Sequence, residues 1–324
     1  MKRIPKIALE EHFMAPGFES YSNAFIQHVD TSSSSQLTAE LADLGASRIE
    51  AMDAAGIELM VLSQTGPSVQ GEHDLAVATR RAAENNDYLA AQIAKNPRRY
   101  AGFATLPMGS PQEAANELTR AVETLGFKGA LVHGHNQGRY YDDPAYDVVW
   151  ERLQALDVPL YLHPVDMADA PKMFEGHPEL TRAAWGWGVE TGTHALRLLF
   201  GGVFDRFPGV KLVLGHMGEG MPILRWRFDS RFAVYPHGIT LKKKPSEYFG
   251  SNILITTTGV CSPAALTCAI EEMGPDAVMF SVDYPYESTT VAADFIERAP
   301  ISDEIREKLC FRNAERLLKV RLGE

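Results

Sequence analysis

The chain has 324 residues, 45% of them apolar and 23% charged, with a formal net charge of -11. That is enough apolar sequence to bury a large core, either in one α/β barrel or in two smaller domains. The acidic balance argues against nucleic acid or an anionic membrane as partner, and three cysteines (Cys261, Cys268, Cys310) with no CxxC pair argue against a disulfide framework or a zinc knuckle.

Read in chain order, short β-rich apolar runs alternate with longer amphipathic segments. The runs expected as strands are Ile4 to His12, Glu58 to Gln64, Ala101 to Pro107, Lys128 to Gly134, Val158 to Pro164, Lys211 to Met217, Asn252 to Thr258 and Ala277 to Pro285. Helical patterns lie between them: Ser47 to Ala55, His73 to Lys95, Pro111 to Leu125, Ala145 to Leu156, His194 to Phe207, Pro222 to Phe232 and Pro263 to Met273, with Thr290 to Arg298 and Asp303 to Leu322 at the end. Near-continuous apolar strands joined by helices mean a parallel sheet covered on its faces. Eight such units in succession predict an α/β fold of the (β/α)8 barrel class. No linker or composition shift divides the chain, so a single domain over residues 1–324 is expected. Residues 13 to 43 and 165 to 185 read as excursions over the C-terminal face of the strands, where barrel enzymes build their sites. The N-terminal apolar run is too brief and too charged for a signal peptide, and no stretch approaches the ~20 apolar residues of a membrane span. A cytoplasmic location is expected.

Four of the expected strands end in a metal-ligating group. Strand one ends Ala8-Leu9-Glu10-Glu11-His12, and the period of two places Glu10 and His12 on one face while Glu11 points the other way. Strand five ends in His163, strand six in His216 and strand eight in Asp283. A closed barrel brings these ends to one mouth, and two carboxylates with one to three imidazoles suit Zn²⁺ or Mn²⁺. Each residue alone has a plainer reading: a strand-end His is commonly a hydrogen-bonded structural group, and a strand-end Asp a helix cap. Four coincidences on the functional face of one fold outweigh those readings. His28, His73, His177 and His237 read as solvated, and His194 as a packing or capping residue inside a helix.

These residues resemble a known family, the amidohydrolase-superfamily decarboxylases of hydroxybenzoates. Its types are the γ-resorcylate (2,6-dihydroxybenzoate) and 2,3-dihydroxybenzoate decarboxylases, related to the aminocarboxymuconate-semialdehyde decarboxylases. The resemblance runs nearly end to end. It is carried by Ala8 to Phe13, Gly126 to Val132, Tyr161 to Pro164, Leu214 to Glu219, Trp226-Arg227 and Phe280 to Pro285. Glu-x-His in place of the hydrolases' His-x-His on strand one, and the absence of a Lys at the end of strand four, favour the decarboxylase branch.

The resemblance implies that Glu10, His12, His163 and Asp283 hold one divalent ion, Mn²⁺ or Zn²⁺. It implies too that His216 works with Glu219 in the active site; Asp283, at the metal's edge, is the candidate proton donor, so Asp283, His216 and Glu219 are the candidate catalytic residues. Arg227 matches a residue near the substrate, and His133, facing the same mouth, is a second candidate for substrate binding. The implied reaction is non-oxidative loss of CO₂ from an ortho-hydroxybenzoate such as 2,6-dihydroxybenzoate, in a homotetramer acting on a small aromatic acid. The departure is after strand four, where Val132-His133-Gly134-His135-Asn136-Gln137-Gly138-Arg139 is more similar to the 5-carboxyvanillate decarboxylases. Rival expectations are therefore a decarboxylase of 2,3-dihydroxybenzoate or 5-carboxyvanillate, a metal-dependent lactone hydrolase, and a non-catalytic ligand-binding barrel.

Overall fold

A computed structural model gives the fold and describes residues 3–26, 31–169 and 171–323; His28, expected to be solvated, lies outside them. The eight strands are β1 (Lys6–Phe13), β2 (Ile57–Gln64), β3 (Tyr100–Gly102), β4 (Ala130–His133), β5 (Leu160–His163), β6 (Leu212–Leu214), β7 (Ile253–Thr256) and β8 (Val278–Met279). The helices are α1 (Glu19–Ile26), α2 (Thr31–Ala42), α3 (Ala46–Ala55), α4 (Leu75–Ile93), α5 (Pro111–Glu123), α6 (Asp147–Leu156) and α7 (Gly186–Phe200). They continue as α8 (Val203–Arg206), the single turn α9 (His216–Glu219), α10 (Arg225–Val234), α11 (Pro263–Met273), α12 (Thr289–Arg298), α13 (Asp303–Glu307) and α14 (Asn313–Leu318).

All neighbouring strands pair in parallel, in the order β1-β2-β3 and β4-β5-β6-β7-β8. Two isolated parallel bridges, Ala104 to Ala130 and Glu11 to Tyr284, join those sheets at both seams and close the barrel. Every residue of β1 is buried, as a strand covered on both faces requires. Local chemistry sets the helix starts: Asp74 caps α4 by accepting from Ala76 N and Val77 N, and Ser262 caps α11 ahead of Pro263.

β3 and β8 are shorter than their apolar runs, and side chains bind backbone groups a few residues past their ends. Beyond β3, Asn86 of α4 accepts from Thr105 N at 2.9 Å and donates to Thr105 O at 2.9 Å. Beyond β8, Glu11 accepts from Val282 N and Tyr284 N. The excursion after β1 folds into α1 and α2, while the one after β5 holds only the 3-10 turns Lys172–Phe174 and Pro178–Leu180. Among the described residues no helix is long and apolar enough to cross a membrane.

Candidate metal centre

Glu10 and His12 leave β1 on the inward face, His163 ends β5, and Asp283 follows β8; one ligand atom from each lies within 4.8 Å of all the others. His12 Nε2 is 3.2 Å from Asp283 Oδ1, and His163 Nε2 is 3.6 Å from Glu10 Oε1. The far sides of these ligands are tied down. Tyr161 of β5 donates to Glu10 Oε2, and Ser63 Oγ of β2 meets His12 Nδ1 at 3.2 Å. His163 Nδ1 faces Pro164 O at 2.8 Å and His133 Nδ1 at 3.1 Å, while His133 Nε2 faces Gln64 O at 3.1 Å. Carbonyls only accept, so the proton sits on His163 Nδ1 and on His133 Nε2, leaving the lone pair of His163 Nε2 for the cluster.

Burial, with neighbouring imidazoles, pushes His163 well below its usual range, and burial pushes His133 down to about 3; both are neutral rings. Burial raises Glu10, against the opposing pull of His216. For Asp283 burial acts upward, but the adjoining imidazoles of His12 and His216 outweigh it and hold the carboxyl low. Glu10 Oε1, His12 Nε2 and Asp283 Oδ1 are buried without a hydrogen-bond partner. Each such orphan costs about 1–3 kcal/mol or more. One divalent cation among them satisfies all three, with the mixed carboxylate and imidazole donors that Mn²⁺ and Zn²⁺ accept. The residues present fit a metal.

His216 opens a turn in which His216, Met217 and Glu219 have φ of +47°, +56° and +54°. Such non-glycine strain collects where a side chain must be aimed. The turn sets His216 Nδ1 2.9 Å from Glu219 Oε1 and His216 Nε2 3.7 Å from Asp283 Oδ2. Burial opposes charge on His216, but Glu219, Glu10 and Asp283 together hold its pKa well above the usual value. The imidazole lies between two carboxylates, which favour its protonated form.

His216, Glu219 and Asp283 line a cavity of about 530 Å³ whose other walls include Trp185, Trp187, Val189, Leu196 and Val260. Trp187 is fixed by donating to Asp166 Oδ1 at 2.7 Å. Trp185, at the end of the second excursion, and Trp187, in the first turn of α7, thus both border the site.

Arg227 is exposed on α10 and lines a neighbouring apolar groove with Phe200, Phe228 and Tyr235, outside this cavity. His133 is 2% exposed, and its ring nitrogens face His163 and Gln64, so it backs a ligand instead of lining the cavity. His194 is buried and accepts from Tyr141 N, as a packing histidine would. Sequence reading passed over Tyr161, Ser63 and Glu287, the last of which also lines the cavity. Tyr161 carried a signal, since it sits two residues before His163 and so faces the same side of β5; Ser63 and Glu287 carried none.

A parallel barrel with a carboxylate–imidazole cluster at the C-terminal mouth defines the class of metal-centred (β/α)8 enzymes. The family model described as Amidohydrolase matches residues 38–320, and the chain belongs to that family. The γ-resorcylate decarboxylase of Polaromonas sp. (strain JS666) is 42% identical over 97% of this chain and 98% of its own. The crystal structure of a dihydroxybenzoic acid decarboxylase from Polaromonas sp. JS666, with bound manganese and the inhibitor 2-nitroresorcinol, superposes with a TM-score of 0.92 at 42% identity over 97% of each chain. That of 5-carboxyvanillate decarboxylase from Novosphingobium aromaticivorans, complexed with manganese and 4-hydroxy-3-methoxy-5-nitrobenzoic acid, gives 0.93 at 33% identity, covering 98% of this chain and 96% of that one.

Proposed function

We propose that this chain is a metal-dependent carboxy-lyase that removes CO₂ without oxidation from an ortho-hydroxybenzoate, 2,6-dihydroxybenzoate or a close analogue, and releases the phenol. The observation that carries the reading is the cluster of Glu10, His12, His163 and Asp283, with three buried ligand atoms lacking hydrogen-bond partners beside a cavity walled by tryptophan and aliphatic side chains. The 42% identity to γ-resorcylate decarboxylase favours this substrate class over 5-carboxyvanillate, whose decarboxylase is 33% identical.

A bound divalent ion, Mn²⁺ or Zn²⁺, would supply charge neutralisation to the substrate's adjacent phenolic and carboxylate oxygens and fix the ring's orientation. The chain's own groups handle the proton. A benzoate cannot expel CO₂ directly, because the electron pair would be stranded in the ring plane. The carbon bearing the carboxylate must first be protonated. Asp283 borders the cavity and is the proposed donor, and His216, 3.7 Å from its Oδ2 and favoured in its protonated form by Glu219, is the proposed reservoir that recharges it. Glu219 keeps the imidazole aimed through Nδ1. Cleavage of the C–C bond then returns its electron pair to the ring and restores aromaticity. The walls of Trp187, Val189 and Leu196 exclude water and hold the ring by its faces.

One barrel domain over residues 1–324 carries the activity in a cytoplasmic homotetramer. What supports an oligomer is α10 and its flanks, where Ile223, Trp226 and Tyr235 are 74%, 77% and 59% exposed beside the groove that contains Arg227. A contiguous apolar face of this kind marks a contact surface. Arg227 is then a residue of that contact, and its role toward the substrate is exercised from there.

The test is CO₂ release by the manganese-loaded protein from 2,6-dihydroxybenzoate, 2,3-dihydroxybenzoate and 5-carboxyvanillate, beside ring opening of a lactone. Turnover of 2,6-dihydroxybenzoate above the others supports the reading. Lactone opening with no CO₂ from any benzoate overturns it.

A further inference from the structure

Glu11 stands between two proposed ligands in β1, yet it points away from the cluster. It is completely buried. Its Oε1 accepts from Ser281 Oγ at 3.0 Å and from Val282 N at 2.9 Å, and its Oε2 accepts from Tyr284 N at 3.1 Å. Those two amides are the ones immediately before and after Asp283.

Regular pairing does not reach this segment, since β8 stops at Met279. Asp283 itself has φ of +85°, a left-handed conformation that costs a non-glycine residue about 1–3 kcal/mol and persists only where the surroundings enforce it. Two main-chain bonds, Asp283 N to Glu10 O at 3.0 Å and His12 N to Tyr284 O at 2.7 Å, tie the segment to β1. The three bonds to Glu11 supply the rest, and buried Arg48 lies over the Tyr284 ring at 4.7 Å on the outer side.

We propose that Glu11 is a positioning residue whose carboxylate clamps the amides on both sides of Asp283 and holds that residue in the left-handed conformation that aims its side chain at His12 and His216. The proposal rests on the reading of Asp283 as ligand and proton donor. It assigns neighbouring acids of one strand to separate tasks: Glu10 faces the ion, and Glu11 shapes the loop that presents the opposing ligand.

A double-mutant cycle separates this role from a general structural one. Glu11→Gln, Asp283→Asn and the double variant are titrated with Mn²⁺ after metal removal, and their unfolding is followed in the metal-free state. Glutamine fills the same space but sets an NH₂ group against a backbone N–H. Glu11→Gln is expected to weaken Mn²⁺ binding about tenfold, in the range for groups that orient a ligand, and by no more than Asp283→Asn does. Added to Asp283→Asn, it is expected to cost no further affinity. A second loss of the same size in that background overturns the clamp alone, as does unchanged affinity in Glu11→Gln. An Asp283→Asn protein that binds Mn²⁺ and turns over like the unsubstituted chain overturns the site reading, and the clamp with it. Should Glu11→Gln fail to fold, amide hydrogen exchange in the unsubstituted protein decides. Val282 and Tyr284 amides as slow as those of β1 support the clamp, and exchange within minutes overturns it.

Discussion

Gly215 tests the site through a single methyl group. It follows β6 with φ of -73°, a conformation open to alanine, so Gly215→Ala introduces no backbone strain. The added Cβ would lie 2.5 Å from Glu10 Oε2, 3.1 Å from Oε1 and 3.2 Å from Cδ. Ordinary contact begins near 3.4 Å, so the carboxylate must retreat by about 1 Å. Metal sites tolerate errors of about 0.2 Å in ligand distance. The same shift disturbs the bond from Tyr161, which holds Oε2 in place. Mn²⁺ affinity is expected to fall about a hundredfold, roughly 2.8 kcal/mol at 1.4 kcal/mol per factor of ten. The metal-free protein should lose only the ~1–3 kcal/mol of an overpacked core contact. Titration of metal-free protein with Mn²⁺, followed by the electron paramagnetic resonance of the free ion, reads the first quantity, and chemical unfolding reads the second. A dissociation constant within twofold of the unsubstituted protein, with full turnover, would refute the placement of Glu10 in the cluster.

Further outcomes follow from the same geometry. Tyr161→Phe leaves Glu10 Oε2 without its phenolic donor and should weaken Mn²⁺ binding about tenfold, in line with ~1.5 kcal/mol for a hydrogen bond to a charged group; the same titration reads it. Asp283→Asn should keep Mn²⁺ at saturating ion yet lose about a thousandfold in turnover, the scale of a missing general acid; near-normal CO₂ release removes Asp283 as the donor. Burial raises Glu190 from 4.5 to about 8, so the folded state keeps a proton that the unfolded state releases. Stability should therefore fall as pH rises from about 4.5 to about 8, by at most ~1.4 kcal/mol per pH unit. Melts of the chain and of Glu190→Gln at pH 5 and pH 8 should show the variant gaining on the parent at the higher pH; parallel profiles contradict this. Trp226→Glu places a charge on the exposed face of α10 and should lower the mass measured by light scattering, whereas an unchanged mass moves the contact elsewhere.

The barrel and its metal cluster were legible because they depend on periods and on strand ends. Alternation along Glu10-Glu11-His12 already separates the two inward ligands from the outward acid, and it forecasts that Glu11 does something different from its neighbours. His163 and Asp283 were placed by where their apolar runs stop. The lengths of β3 and β8 were not legible, nor was the capture of backbone groups past their ends by Asn86 and Glu11, which come from elements distant in sequence. His133 was read toward the substrate from its place at the end of β4, at the mouth; that the Gln64 carbonyl and the ring of His163 meet its two ring nitrogens was not legible. Arg227 lay next to a family-like tryptophan, yet α10 carries both to the outer surface, and a single chain's sequence does not say what covers that surface. The left-handed turn from His216 to Glu219 was visible only in part, through Gly215, Gly218 and Gly220.

Metal dependence and decarboxylation are read together in the CO₂ evolved from 2,6-dihydroxybenzoate by protein stripped with a chelator and then restored with stoichiometric Mn²⁺. The expected result is no CO₂ from the stripped protein and full recovery at one ion per chain. Equal CO₂ release with and without the ion, or none after restoration, would contradict the account.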